Sequence, residues 1–141
     1  MKTLALCFSI LLFSATARAD NCSGKWVLES TGRGGQVQRA VLILNQVGDS
    51  VTGTVSGRNN PGAASPINTE IYGGKVEGDT ISFYIWQGSD RPWKQQFTGK
   101  LSGDEIVFTV TRDRPLSQQN GQGQPANAAN ATSTEMARRS Q

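Results

Sequence analysis

The chain contains no histidine. The commonest general base and commonest metal ligand are therefore missing, which excludes a histidine-dependent triad and a histidine-ligated zinc site. Cysteine is nearly as scarce, with only Cys7 and Cys22. A long hydrophobic run is also lacking. The longest, residues 4–13, is interrupted by Ser9 and is too short for a stable bilayer anchor. It follows Lys2 and precedes Ala17-Arg18-Ala19, a small-x-small site. That is the pattern of a secretory signal peptide, so residues 1–19 are read as a leader and Asp20 as the first mature residue. The expected location is outside the cytoplasm, periplasmic or secreted, with no membrane span in the mature chain. Without the leader Cys22 is the lone thiol, so no intramolecular disulfide can form and the thiol is either buried or paired between chains.

Strong charge of either sign is absent too. Of 14 lysines and arginines, Lys2 and Arg18 fall in the leader, leaving 12 against 11 aspartates and glutamates. Nucleic acid is bound largely by neutralising many phosphates, so this balance argues against a nucleic-acid partner. It argues equally against an anionic membrane surface. A helical stripe of useful length is also missing between Gly24 and Thr111. In its place short β-prone segments alternate with glycine-bearing turns, at 24–30, 36–47, 50–56, 71–76, 80–87, 93–101 and 105–111. Regular short strands with turn signals predict an all-β fold: an antiparallel up-and-down barrel of about eight strands, or alternatively a β-sandwich. The barrel domain is placed at 20–112. Residues 113–132, rich in Gln, Asn, Ala, Gly and Pro, are read as disordered or as a long loop, and 133–141 as a closing strand or a tail.

One repeat stands out. GKVEGDTISF (74–83) recurs 25 residues later as GKLSGDEIVF (99–108), with six of ten positions identical. In each copy Gly-Asp lies between alternating apolar stretches, and Gly48-Asp49 is a third example. Glycine accepts the positive φ of a two-residue hairpin and aspartate bonds nearby backbone, so Gly48, Asp49, Gly78, Asp79, Gly103 and Asp104 are read as hairpin turns of the II′ kind. Paired catalytic carboxylates are the sharper reading of Asp79 and Asp104, but solvated turn carboxylates lack the burial that shifts a pKa.

The order Gly24-x-Trp26, VTGTV (51–55), the two repeat copies, FTGKLSGDEIVFTVTR (97–112) and Thr134-x-x-x-Arg138 resembles an uncharacterised family of small exported bacterial β-domains. The resemblance implies that the last segment closes the sheet and that 113–132 is a loop leading to it. The architecture is also similar to avidin- and lipocalin-like (calycin) barrels, which open with Gly-x-Trp. The avidin strand carrying a biotin-stacking tryptophan is not matched in parity by FYIWQ (83–87), so no biotin-binding residue is carried over.

Two strands are apolar on both faces. Ala40, Leu42 and Leu44 oppose Val41 and Ile43; Ile81, Phe83 and Ile85 oppose Tyr84 and Trp86. If the first sets fill the core, then Val41, Ile43, Tyr84 and Trp86 face outward, covered by a loop or forming a surface for a protein partner or a second copy of this chain. Trp93, beside Asp90, Arg91 and Pro92, lies at a sheet end where a barrel mouth holds ligands or where an aromatic caps the core. The resulting expectation is a non-catalytic exported barrel that binds a small apolar ligand or a protein partner. No cofactor or metal site is read. The alternatives are a hydrolase working with carboxylates such as Glu70, Glu77 and Asp90, or a structural envelope protein.

Overall fold

The computed structural model describes residues 21–31, 34–57, 68–88, 92–113 and 130–141. Among them nine strands and no helix occur: β1 (Gly24–Thr31), β2 (Val37–Val47), β3 (Ser50–Ser56), β4 (Thr69–Glu70), β5 (Tyr72–Glu77), β6 (Thr80–Gln87), β7 (Trp93–Ser102), β8 (Glu105–Asp113) and β9 (Asn130–Arg139). All pairings are antiparallel. The sheet runs β2-β1-β9-β8-β7-β6-β5-β3, and β2 pairs with β3 in turn. Eight strands therefore close into a barrel, with the two-residue β4 as an extra piece on β3. Closure leaves no long unpaired edge, which matters for a sheet of this size. The leader reading falls in residues 1–20, outside the described residues.

The C-terminal segment closes the ring. β9 pairs with β8 from Asn130 to Arg138 and with β1 from Met136 to Arg139. This corrects the boundaries expected from composition. Asp113 ends β8, and Asn130 to Thr132 belong to a strand although nothing in ATST alternates apolar with polar.

Alternation fixes what lies inside. Trp26, Leu28, Ala40, Leu42, Leu44, Val51, Val55, Ile81, Phe83, Ile85, Phe97, Leu101, Ile106, Phe108 and Val110 are buried, as the period of two demands of one face of each strand. Three phenylalanines occupy the middle of the barrel. Phe83 stacks on Phe97 with centroids 4.8 Å apart, and Phe108 meets both edge-on at 5.6 and 5.8 Å. Each buried side chain of this size contributes roughly 1.5–3 kcal/mol. Gly99 makes room for this cluster, since a Cβ there would lie 2.5 Å from the Phe108 ring.

The repeated Gly-Asp pairs are two-residue hairpins linking β2–β3, β5–β6 and β7–β8. Gly48, Gly78 and Gly103 have φ of 61°, 62° and 59°, while no non-glycine residue among those described has positive φ. Positive φ at the first turn position only is the II′ combination, whose twist matches the strands. The structure also shows why the motif recurs. The Asp49 carbonyl accepts a hydrogen bond from the Val76 N–H, Asp79 from Leu101 and Asp104 from Arg139, at 2.8, 2.7 and 2.8 Å. Each turn thus holds the strand that follows the next connection. Two side chains reinforce the joint: Asp79 pairs with Lys100 and Asp104 with Arg139. The lysine of GKLSGD therefore reaches back to the aspartate of GKVEGD. A Cβ on Gly78 or Gly103 would meet nothing within 4 Å, so the cost of Gly78→Val or Gly103→Val is backbone strain alone. We expect each to lower stability by roughly 1–3 kcal/mol in urea unfolding, while Asp79→Asn leaves the midpoint close to wild type. Loss of stability in Asp79→Asn equal to that of Gly78→Val would refute this reading.

Candidate functional site

The two ends of the barrel differ. The three tight hairpins all lie at one end, together with the start of β1 and the end of β9. Segment 21–23 seals that end. The Cys22 N–H donates to Gln46 Oε1 and the Gln46 N–H to Ser23 Oγ, both at 2.9 Å, and the Trp26 indole N–H donates to the Cys22 carbonyl at 2.9 Å. The Arg139 guanidinium lies 4.3 Å over the Trp26 ring and donates to Asp104, Ser23 and Asn21. Cys22 is fully buried, and desolvation pushes its thiol pKa upward, with the Arg139 charge opposing. The structure thus places Cys22 as a buried free thiol, the first of the two expectations for it.

All the longer connections, 32–36, 57–68, 88–92 and 114–129, join strands at the opposite end. There the interior changes from apolar to polar. On β7, Trp93, Gln95 and Phe97 share the inward face; Gln95 is opposite Ile85 of β6 and Arg112 of β8, and Trp93 is opposite Gln87. Gln95 is 1% exposed, and its Nε2 has no hydrogen-bond partner. Glu135 of β9 is also buried, with its side chain at 0% exposure, and accepts a 3.0 Å hydrogen bond from Arg112 Nη2. Arg112 Nη1 donates to Ser133 Oγ at 2.9 Å. Gln95 and Glu135 are the buried polar residues among those described. Gln95 stands opposite Arg112 near this end and Glu135 opposite Phe108, on strands on either side of β8, and the Arg112 side chain reaches Glu135.

Sequence reading singled out Trp93 here and missed Gln95, Arg112, Ser133 and Glu135. The signal for Gln95 was present, because it shares parity with Phe97 and Leu101. Glu135 had no such signal, since its face is evident only once β9 is paired.

The four outward candidates do not form one cluster. Val41 and Ile43 lie on the outer face of β2, Tyr84 and Trp86 on that of β6, as alternation required. But β3 and β4–β5 intervene, separating the pairs by about 14 Å of sheet. Tyr84 instead stacks on Tyr72 of β5 at 5.8 Å, meets Trp86 edge-on at 6.0 Å and carries the Lys94 ammonium 4.3 Å over its ring. The Tyr72 side of this ladder exists because β5 bulges. Gly73, at φ 58°, takes the extra residue, and the Tyr84 ring covers it closely enough that a Cβ would lie 2.9 Å away.

The carboxylates considered for hydrolysis are placed separately. Glu70 is exposed on β4, where it accepts from the Tyr72 hydroxyl at 3.4 Å. Glu77 is exposed at the hairpin end and hydrogen-bonded to Lys75, which holds its pKa below the usual carboxylate range. A general acid needs the opposite shift. Asp90 lies outside the described residues. No group of three or more metal-ligating side chains occurs among the described residues. Comparison with protein-family models, with curated proteins and with solved structures finds no match to this chain.

Proposed function

We propose that this protein is a non-catalytic binding barrel whose ligand enters at the end carrying the long connections. The observation that supports this is the segregation of the two ends. Tight hairpins and a plug seal one, while the other combines every long connection with Gln95, the Arg112–Glu135 pair and the half-buried Trp93. Barrel mouths lined by a few polar groups over an apolar floor are a common ligand position. The Phe83, Phe97 and Phe108 rings fill the middle of the barrel, which directs the reading to the mouth and away from a deep apolar cavity. The test is a small-molecule fragment screen followed by protein NMR. Hits should perturb the amides of Gln95, Arg112 and Ser133. Perturbations confined to the hairpin end would reject the proposal.

A second reading rests on Trp86, which is 46% exposed on the outer face beside Tyr84 and Tyr72. Exposed Trp and Tyr are favoured anchors for a protein partner or a second copy. On this reading Trp86→Ala leaves the monomer folded and weakens association. Sedimentation of wild type and variant across concentration, with thermal unfolding of both, checks it. A wild type that stays monomeric at every concentration removes the self-association form of the idea.

A further inference from the structure

We infer that the outer face of β6 is a contact between two copies of this chain, related by a two-fold axis along β6, in which Glu70 of each copy pairs with Lys94 of the other. This rests on the Trp86 reading given above and deepens it by naming the occupant and how it sits. Three observations carry it. The first is the apolar centre. Trp86 and Tyr72 are 46% and 41% exposed, and both meet the Tyr84 ring, so three aromatic side chains make one patch on adjacent strands. Aromatic residues are enriched at the centre of protein interfaces. The second is the charge on the two margins of that patch. On the β7 side, Lys94 is opposite Trp86. On the β5 side, Tyr72 is opposite Tyr84, and Glu70, two residues earlier, is exposed and accepts the Tyr72 hydroxyl. An ammonium and a carboxylate therefore flank β6, one strand away on either side, about 10 Å apart at the backbone. Neither belongs to an ion pair among the described residues, and the Lys94 ammonium lies over the Tyr84 ring instead. The third is symmetry. A two-fold axis along β6 exchanges the β5 and β7 sides. It brings Tyr84 and Trp86 of both copies together at the centre and sets Glu70 against the partner's Lys94 twice. Opposite charges equidistant from the axis are what a self-complementary contact requires, and a partner of one charge sign does not match them. Asp113, opposite Lys94 on β8, is one strand further from the axis, where the barrel wall curves away. A contact centred on three strands is small, so the dimer is weak, with a Kd on the order of 0.1 mM.

The experiment is sedimentation of the full chain at low ionic strength and up to millimolar concentration. Wild type is compared with Glu70→Lys, with Lys94→Glu, with an equimolar mixture of these two variants, and with Trp86→Ala. Wild type should dimerise. Each charge variant alone sets like charges opposite one another at both ends of the contact and should self-associate about tenfold more weakly or less still. The mixture should regain the wild-type dimer, because position 70 of one variant then meets an opposite charge at position 94 of the other, in both directions. Thermal unfolding of each variant should match wild type, since both side chains are on the outer face. Charge variants that dimerise as wild type, or a mixture that stays monomeric, overturn the inference; if Trp86→Ala still weakens association, the Trp86 surface stands without this arrangement. A wild type that is monomeric throughout overturns the inference together with the self-association form of that surface.

Discussion

A chain ending at Arg112 is expected not to fold. It lacks β9, which pairs with β8 along its length and with β1 beyond it. Both neighbours would become open edges, with unpaired N–H and C=O groups along two strands rich in apolar residues. The truncation also takes away Arg139, which joins the Asp104 turn to segment 21–23, and Ala137, which is fully buried. Size-exclusion chromatography should show aggregate, and no cooperative thermal transition should remain. A soluble monomer with a sharp transition would mean that β9 is not part of the barrel wall. The contrasting change is internal. Asp113 and Asn130 are opposite one another in the ladder, so a short Gly-Ser turn can replace 114–129 without moving either strand. That variant should retain the wild-type fold and most of its stability.

The second large effect is expected at the Arg112–Glu135 pair. The Glu135 carboxylate is fully buried, while Arg112 keeps 23% exposure. Arg112→Met takes one guanidinium away from a fully buried carboxylate, at a cost of up to about 3–5 kcal/mol. For a domain of this size that is a fall in melting temperature on the order of 15 °C or more. Replacing both partners, as Arg112→Met with Glu135→Leu, removes the charge with its partner and should recover most of the loss. Urea unfolding of the two single variants and the double variant completes the cycle. An Arg112→Met variant within about 1 kcal/mol of wild type would show that the Arg112 guanidinium is not what compensates the buried carboxylate.

The sequence carried the barrel legibly where side chains alternate. Segments 50–56 and 80–87 coincide with β3 and β6, and Ile81, Phe83 and Ile85 point inward with Tyr84 and Trp86 outward, as parity required. The Gly-Asp hairpins were legible for the same reason, since two residues between alternating runs leave little choice of turn. Strand order was not legible. Parity states which face a residue takes but not which strand stands beside it, so Val41 and Ile43 were grouped with side chains three strands away. Strand β9 has only Ala131, Met136 and Ala137 as apolar residues, and Met136 is on the outer face. Its position follows from what the rest of the barrel lacks, an edge partner for β1 and β8. The polar mouth was hidden because its residues contradict the rule that polar means outward. Only the ladder, which puts Gln95 beside Arg112 and Val110 beside Ser133, turns four scattered residues into neighbours.

The seam between β1 and β9 has a consequence for the order in which the fold is acquired. Every hairpin joins near neighbours and can zip within microseconds. The seam joins β1 to β9, so its contacts have the largest sequence separation among the described strands, and such contacts slow folding. Arg139 reaches carbonyls 116 and 118 residues earlier in the chain. A chain that has reached only residue 113 lacks β9, so the edges of β1 and β8 that it covers are left unpaired. Pairing of β9 with both neighbours closes the ring, and the same strand brings Glu135 against Arg112. The last ten residues to join the sheet act as the latch, so the mouth cannot be assembled before the wall is complete.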